Sequence, residues 1–124
     1  MDNRQSSTRA LVNATLLGTV LQVAMVVGGH FIAGIANLFA VMGMTISLVA
    51  GLVYARAARR TTRGSSALGG AIAGGLCALI GIFVSFMLGD VPATLLALGT
   101  LSSTVTGAIG GLVGHVAPRS PARA

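Results

Sequence analysis

The chain has 124 residues, of which 54% are hydrophobic and 8% are charged, whereas a soluble domain typically has about 25% charged residues. This composition, with a mean hydropathy of +0.90, excludes an ordinary soluble domain and indicates a membrane protein. In lipid every backbone N–H and C=O must be paired within the protein, so only helices or a closed barrel can span a membrane. The apolar runs do not alternate with polar residues as barrel strands do. We predict a single all-α integral membrane domain.

The net charge of +6 comes from eight arginines and two aspartates. None of the arginines, at positions 4, 9, 56, 59, 60, 63, 119 and 123, lies inside an apolar run. Cytoplasmic loops have this bias under the positive-inside rule. No aromatic residue lies between clustered arginines to stack bases, so we expect no nucleic-acid partner. We predict a bacterial inner (cytoplasmic) membrane protein with both termini and the central linker in the cytoplasm.

The first apolar run, residues 10–55, would be about 69 Å long as one helix, roughly twice the 30 Å hydrocarbon core. It must therefore reverse once, and the glycines of segment 28–34 favour a tight turn there. We predict helices at about 10–27 and 35–54. A basic N-terminus before an apolar run also resembles a signal peptide, but because further spans follow we expect an uncleaved first helix.

A basic linker follows at residues 56–66. Its arginines are Arg56, Arg59, Arg60 and Arg63. Each can gain about 1 kcal/mol beside an anionic leaflet. We therefore expect the linker to be anchored to the lipid headgroups of the inner leaflet.

The third helix is predicted at about 67–88, after a flexible polar entry, and the second turn at residues 89–92. Pro92 favours the first turn of a helix, because the N–H that it lacks has no intrahelical partner there. We therefore predict the fourth helix at about 92–116 and a disordered tail at 117–124. The four helices form two hairpins.

Small residues recur at helical spacing in all four predicted helices, several as small-xxx-small pairs. In a bilayer such residues let helix backbones approach closely, so we predict a tightly packed bundle of Gly, Ala and Ser faces. The packing glycines are Gly18, Gly43, Gly70, Gly74, Gly81, Gly107, Gly110, Gly111 and Gly114. Two interpretations stay open. The faces hold one chain together, or one of them, on the fourth helix, is left for a second copy or another subunit.

Polar side chains inside the predicted spans are candidates for contacts between helices. Gln22, near the middle of the first helix, is the leading candidate, because an unpaired amide is costly in an apolar environment. Asn37, Thr100 and Ser103 are the others. A polar path along helices 1 and 4 could instead line a water-filled route, which is the channel alternative.

No charged side chain lies inside a predicted span, where it would mark a functional site. His30 and Asp90 fall in the two turns on the same side and could pair, although capping of the fourth helix also explains Asp90. His115 lies at the opposite face, where we expect it to be solvated. Cys77, the only cysteine, is expected to be a small packing residue. We predict no metal site and no cofactor.

These side chains cannot supply a nucleophile, a base and an orienting group, so we do not expect an enzyme. The lack of an intramembrane carboxylate argues against proton-coupled transport. We expect a non-catalytic packing or assembly subunit of a membrane complex, or a homo-oligomer, whose partners are the bilayer and either itself or another membrane subunit. The alternative is a passive channel for small solutes or ions, or a holin-like pore former.

Overall fold

A computed structural model describes residues 3–32, 34, 38–58 and 62–116. These residues form helices and short connections, and four of the helices are long and apolar enough to span a membrane. The helices are α1 Asn3–Phe31, α2 Phe39–Ala57, α3 Arg63–Met87 and α4 Ala93–Val116. The prediction of an all-helical fold with four helices long and apolar enough to span a membrane is therefore confirmed over the described residues.

The helices alternate in direction along the bundle. α1 and α3 run parallel to each other and antiparallel to α2 and α4, as their contacts show. One end of the bundle holds Arg9, Arg56 and Arg63, and we call it the basic end. The other end holds His30 and Asp90, and we call it the His–Asp end.

The centre of the bundle is the pair α2 and α3. α1 packs against both of them, and so does α4 from the other side. The approach of α4 is very close: a Cβ atom added to Gly107 would clash with the carbonyl oxygen of Gly70, and one added to Gly51 would clash with that of Gly107. These three helices therefore meet backbone to backbone.

Most large apolar side chains lie on the outside of the bundle. Leu101 and Val105 of α4, for example, are 64% and 62% exposed. The largest fully buried side chains are Gln22, Val26, Cys77, Ser47, Ser66 and Ser85. So large an apolar surface is unfavourable in water, but lipid tails are as apolar as leucine. The distribution fits a bundle surrounded by lipid.

α1 continues through the glycines that were predicted to form the first turn. Gly28, Gly29 and His30 are helical, and the N–H of Ile32 donates to the carbonyl oxygen of Gly28 at 2.8 Å. The predicted turn is therefore wrong over residues 28–31. A continuing helix keeps its backbone amides paired, and glycine is frequent in membrane helices.

α3 begins at Arg63, earlier than predicted. The hydroxyl of Thr62 accepts a hydrogen bond from the N–H of Ser65 at 3.1 Å, which is the geometry of a helix N-cap. The prediction that Gly64 to Ser66 form a flexible entry is therefore wrong, because this cap starts the helix before them.

α3 ends at a glycine with left-handed backbone. Gly89 has a φ of 80°, and its N–H donates to the carbonyl oxygen of Phe86 at 3.0 Å. The N–H of Asp90 donates to the carbonyl oxygen of Ser85 at 3.0 Å. Together these bonds form a Schellman motif, which places Asp90 directly beyond the helix. The chain turns at 88–92, and α4 begins at Ala93.

Several predicted features lie outside the described part of the chain. They are Asn37, Arg59, Arg60 and the tail 117–124. Arg56, from the same predicted linker, lies in the last turn of α2, which ends at Ala57. α2 begins at Phe39, after Leu38, whose side chain makes no capping hydrogen bond.

Candidate functional site

Gln22 lies at the centre of the bundle and is 1% exposed. Residues four apart share one face of a helix, and the neighbours on this face, Ala14, Gly18 and Val26, are also buried. The face points between α2 and α3. The side-chain amide of Gln22 donates to the carbonyl oxygen of Gly43 in α2 at 3.1 Å.

The hydrogen bonds of Gln22 extend into a cluster that joins three helices. Its Nε2 also donates to Ser47 Oγ at 3.4 Å and lies 4.0 Å from Cys77 Sγ. Ser47 Oγ and Cys77 Sγ both donate to the carbonyl oxygen of Gly74, each at 3.3 Å. We call these residues, with Gly43, the polar cluster. It contains neither a carboxylate nor a histidine, so its geometry suits fixing the helices in register rather than moving protons.

Glycines leave the space that the polar cluster occupies. A Cβ atom on Gly81 would lie 2.7 Å from Cβ of Gln22, and one on Gly18 would lie 2.8 Å from Cys77 Sγ. One on Gly43 would be in ordinary contact with Gln22 Oε1, at 3.6 Å. The amide and the thiol therefore fit because two of the predicted packing positions, Gly18 and Gly81, have no side chain.

The predicted packing glycines of α4 are turned toward α2 and α3 of the same chain. A Cβ atom added to Gly110 would clash with the carbonyl oxygen of Leu48, and one added to Gly111 would clash with that of Ser66. A Cβ atom added to Gly114 would lie 2.8 Å from the carbonyl oxygen of Leu52, its nearest neighbour. Gly70 and Gly74 of α3 face Gly107 across the same interface. In this structure the glycine face of α4 is not left open for a partner.

A cavity of about 180 Å³ lies beside the polar cluster, in the half of the bundle toward the His–Asp end. It separates α2 from α4, which meet backbone to backbone only nearer the basic end. α1 and α3 contribute one part of its wall, chiefly Gln22, Val26, Ala78, Ile82 and Ser85. On the α2 and α4 side, the lining residues Ala40, Met44, Leu95 and Leu98 are exposed. The cavity therefore opens sideways, between these two helices.

Ser85 is a lining residue whose hydrogen-bonding capacity is unused. It is 1% exposed, and its Oγ has no hydrogen-bond partner in the described part of the chain. Ser103, a predicted polar contact, also lines the cavity and is buried. The sequence does not reveal Ser85, because a serine in a membrane helix can bond to its own backbone.

Thr100 was predicted to make a polar contact between helices, and the structure shows none. Its Oγ1 is buried without a partner among the residues described, and its carbonyl oxygen accepts the hydroxyl of Thr104 from the same helix at 2.7 Å. Thr15 and Thr19 of α1 are also buried without a hydroxyl partner there. The polar path along helices 1 and 4 is therefore a set of separate hydroxyls.

His30 and Asp90 come together at the His–Asp end. His30 Nδ1 lies 2.9 Å from one carboxylate oxygen of Asp90 and 3.1 Å from the other. The extra turn of α1 and the Schellman motif at Gly89 bring them there. The carboxylate thus contacts His30, and no cap from it to α4 is present in the described residues. An exposed pair of this kind adds little stability, but it links α1 to the α3–α4 connection.

His115 is not the solvated residue that was predicted. It is half-buried, and its Nδ1 lies 3.1 Å from Ser66 Oγ. Ser66 lies in the first turn of α3, because that helix begins at Arg63, and there its hydroxyl faces His115. Of the linker arginines that are described, Arg56 is half-buried and Arg63 is exposed. No group of three or more His, Cys, Asp or Glu side chains that could hold a metal is found among the described residues.

Comparisons of the chain with protein-family models, with curated proteins and with solved structures find no match.

Proposed function

We propose that the protein is a non-catalytic membrane subunit that packs against other membrane helices, either those of its own copies or those of another subunit. One observation carries this proposal. Small and polar side chains are used for contacts within the chain, and large apolar side chains are turned outward. The surface offered to a partner in the membrane is therefore apolar.

The polar cluster supports a structural role rather than a catalytic one. Gln22, Ser47 and Cys77 donate to each other or to backbone carbonyl oxygens. None of these three side chains is a carboxylate, a histidine or a lysine that could act as a base at neutral pH, and each is buried. A catalytic site would need a nucleophile held by such a base. The hydrogen bonds instead fix α1 against α2 and α3.

The charge distribution supports one orientation in the membrane. The arginines of the described residues lie at the basic end, and positive-inside topology places that end in the cytoplasm. Arg56 and Arg63 would then contact the headgroups of an anionic inner leaflet. His30 and Asp90 would face the outside.

The close backbone contact of α2, α3 and α4 favours packing over conduction. Between the polar cluster and the basic end, Gly51 and Gly70 both meet Gly107 so closely that an added Cβ atom would clash. A water-filled route between α2, α3 and α4 would have to separate these backbones. These contacts therefore favour a pore formed by several copies over one through the centre of this interface.

Two measurements on the purified full chain test the proposal. Light scattering in mild detergent should give a defined oligomer, or mass spectrometry should identify a membrane subunit that co-purifies in a fixed ratio. Liposomes that contain the protein should retain a small entrapped dye as well as protein-free liposomes do. Dye release that rises with the amount of protein would establish the pore alternative, and a monomer without a partner would contradict the assembly role.

A further inference from the structure

The cavity between α2 and α4 faces the bilayer rather than water. The residues at its mouth are apolar and exposed, among them Met44, Leu95 and Leu98. They lie along the sides of two membrane-spanning helices, so the groups that can enter are those dissolved in the bilayer. An occupant therefore arrives laterally and is largely apolar.

The size of the cavity limits the occupant to one slender group. An apolar cavity of about 150 Å³ holds a molecule the size of benzene, whereas drug-sized ligands need about 300 Å³ or more. The present volume of about 180 Å³ fits a short length of one hydrocarbon chain. It is too small for a multi-ring compound.

The wall of the cavity includes hydroxyl groups that have a hydrogen bond to give. The Ser85 hydroxyl is buried and unpartnered in the described chain, and it lies in the last turn of α3. α3 has 25 residues and is about 37 Å long, which exceeds the 30 Å hydrocarbon core. Its last turn therefore reaches the boundary of the hydrocarbon, where the ester groups of glycerolipids lie.

We propose that the cavity binds one acyl chain of a bilayer glycerolipid, whose ester carbonyl oxygen accepts a hydrogen bond from Ser85. The headgroup is not recognised. In the described part of the chain, His30 and Asp90 are the ionisable side chains at this end, and they pair with each other. Zwitterionic and anionic lipids are therefore expected to bind equally well.

Photolabelling in nanodiscs tests the proposal. The full chain is reconstituted with phosphatidylcholine that has a diazirine in its acyl chain, and the labelled residues are mapped by mass spectrometry. Val26 and Ala78 are 2% and 1% exposed, so bulk lipid cannot reach them. Label on these cavity residues is the expected result. Label confined to outward residues such as Leu101 would overturn the proposal.

Adjacent substitutions on α2 provide a matched control. Ala40 lines the mouth of the cavity, whereas Val41 is exposed and does not line it. Ala40→Trp should abolish the interior label and keep the outer label, and Val41→Trp should keep both. Both sites are exposed, so neither variant disturbs the core. Loss of the interior label in both variants, or in neither, would contradict lateral entry between α2 and α4.

The hydrogen bond has its own test. Ser85→Ala should lower the affinity of the site for the labelled lipid about fivefold, which corresponds to the loss of one hydrogen bond. Ser102→Ala, at the exposed rim, should have no effect. If the Ser85→Ala variant and the unchanged chain are labelled equally, the proposed hydrogen bond to the ester is refuted. Dimers without bound lipid in native mass spectra, disrupted by Ala40→Trp, would show that a second copy occupies the cavity.

Discussion

The ring of Tyr54 in α2 lies directly over Gly69 in α3. A Cβ atom on Gly69 would clash with the ring carbons Cε2 and Cζ and would lie 2.6 Å from the hydroxyl oxygen. Tyr54 is itself buried among small residues, including Ala10 and Ala73. The largest aromatic side chain of the core therefore fits only because its neighbour has no side chain.

Gly69→Ala should lower the free energy of unfolding in detergent by about 1–3 kcal/mol, because it overpacks the contact with Tyr54. The control is Gly64→Ala on the same helix, where an added Cβ atom meets nothing within 4 Å. That variant should be as stable as the unchanged chain or slightly more stable, since alanine favours helix. Equal effects of the two substitutions in thermal unfolding would contradict this contact.

Gly107→Ala should also destabilise the bundle by about 1–3 kcal/mol, because the new methyl group clashes with the backbone of α3 at Gly70. Gly99→Ala on the same helix is the comparison. Its Cβ atom would lie 2.6 Å from the terminal Cδ1 of Ile82 and 3.8 Å from Cγ1 of the same side chain, and a flexible chain end can move. Denaturation of both variants in the same detergent should separate them clearly. A larger loss for Gly99→Ala would show that α4 packs differently.

Gln22→Leu should weaken the bundle by about 0.5–2 kcal/mol, the range measured for hydrogen bonds between membrane helices. The substitution removes the side-chain donor that the carbonyl oxygen of Gly43 has from α1. Asn13→Leu provides the control, because Asn13 lies on the exposed side of α1. It should be neutral or stabilising in lipid. If both variants unfold at the same denaturant concentration, the polar cluster does not contribute to stability.

The proposed orientation predicts which positions a membrane-impermeant thiol reagent can reach in intact cells. A cysteine that replaces the exposed residue Ala93, at the His–Asp end, should react. One that replaces Ser65, at the basic end, should react only after the cells are opened. Native Cys77 is fully buried and serves as an unreactive background. The opposite pattern would place the arginines outside.

The number of helices could be predicted from the sequence, because the length of an apolar run sets how often it crosses the bilayer. Helix ends were harder to predict. Gly28 and Gly29 were interpreted as a turn, although in lipid a glycine does not end a helix when the next amides remain paired. The start of α3 depends on Thr62 as a cap, and threonine is a preferred residue at that position.

Individual site residues were easier to predict than their partners. Gln22 stood out because an amide in lipid needs a partner, but its main acceptor is the backbone of Gly43, which no side-chain pattern encodes. His30 and Asp90 were placed on the same side, yet their contact depends on the backbone conformation of Gly89. Ser85 matters only through the cavity beside it. That cavity arises from the separation of α2 and α4, which cannot be inferred from the amino-acid composition.

The position of large and small residues in this bundle has a consequence for how its sequence can vary over evolution. Outward positions such as Leu101 and Val105 can exchange one apolar residue for another with little effect. At positions such as Gly107 and Gly111 any larger residue should cost stability, since even a methyl group meets the backbone of a neighbouring helix. In a saturation-mutagenesis map the least tolerant sites of this protein would be glycines, and its leucines would be the most variable.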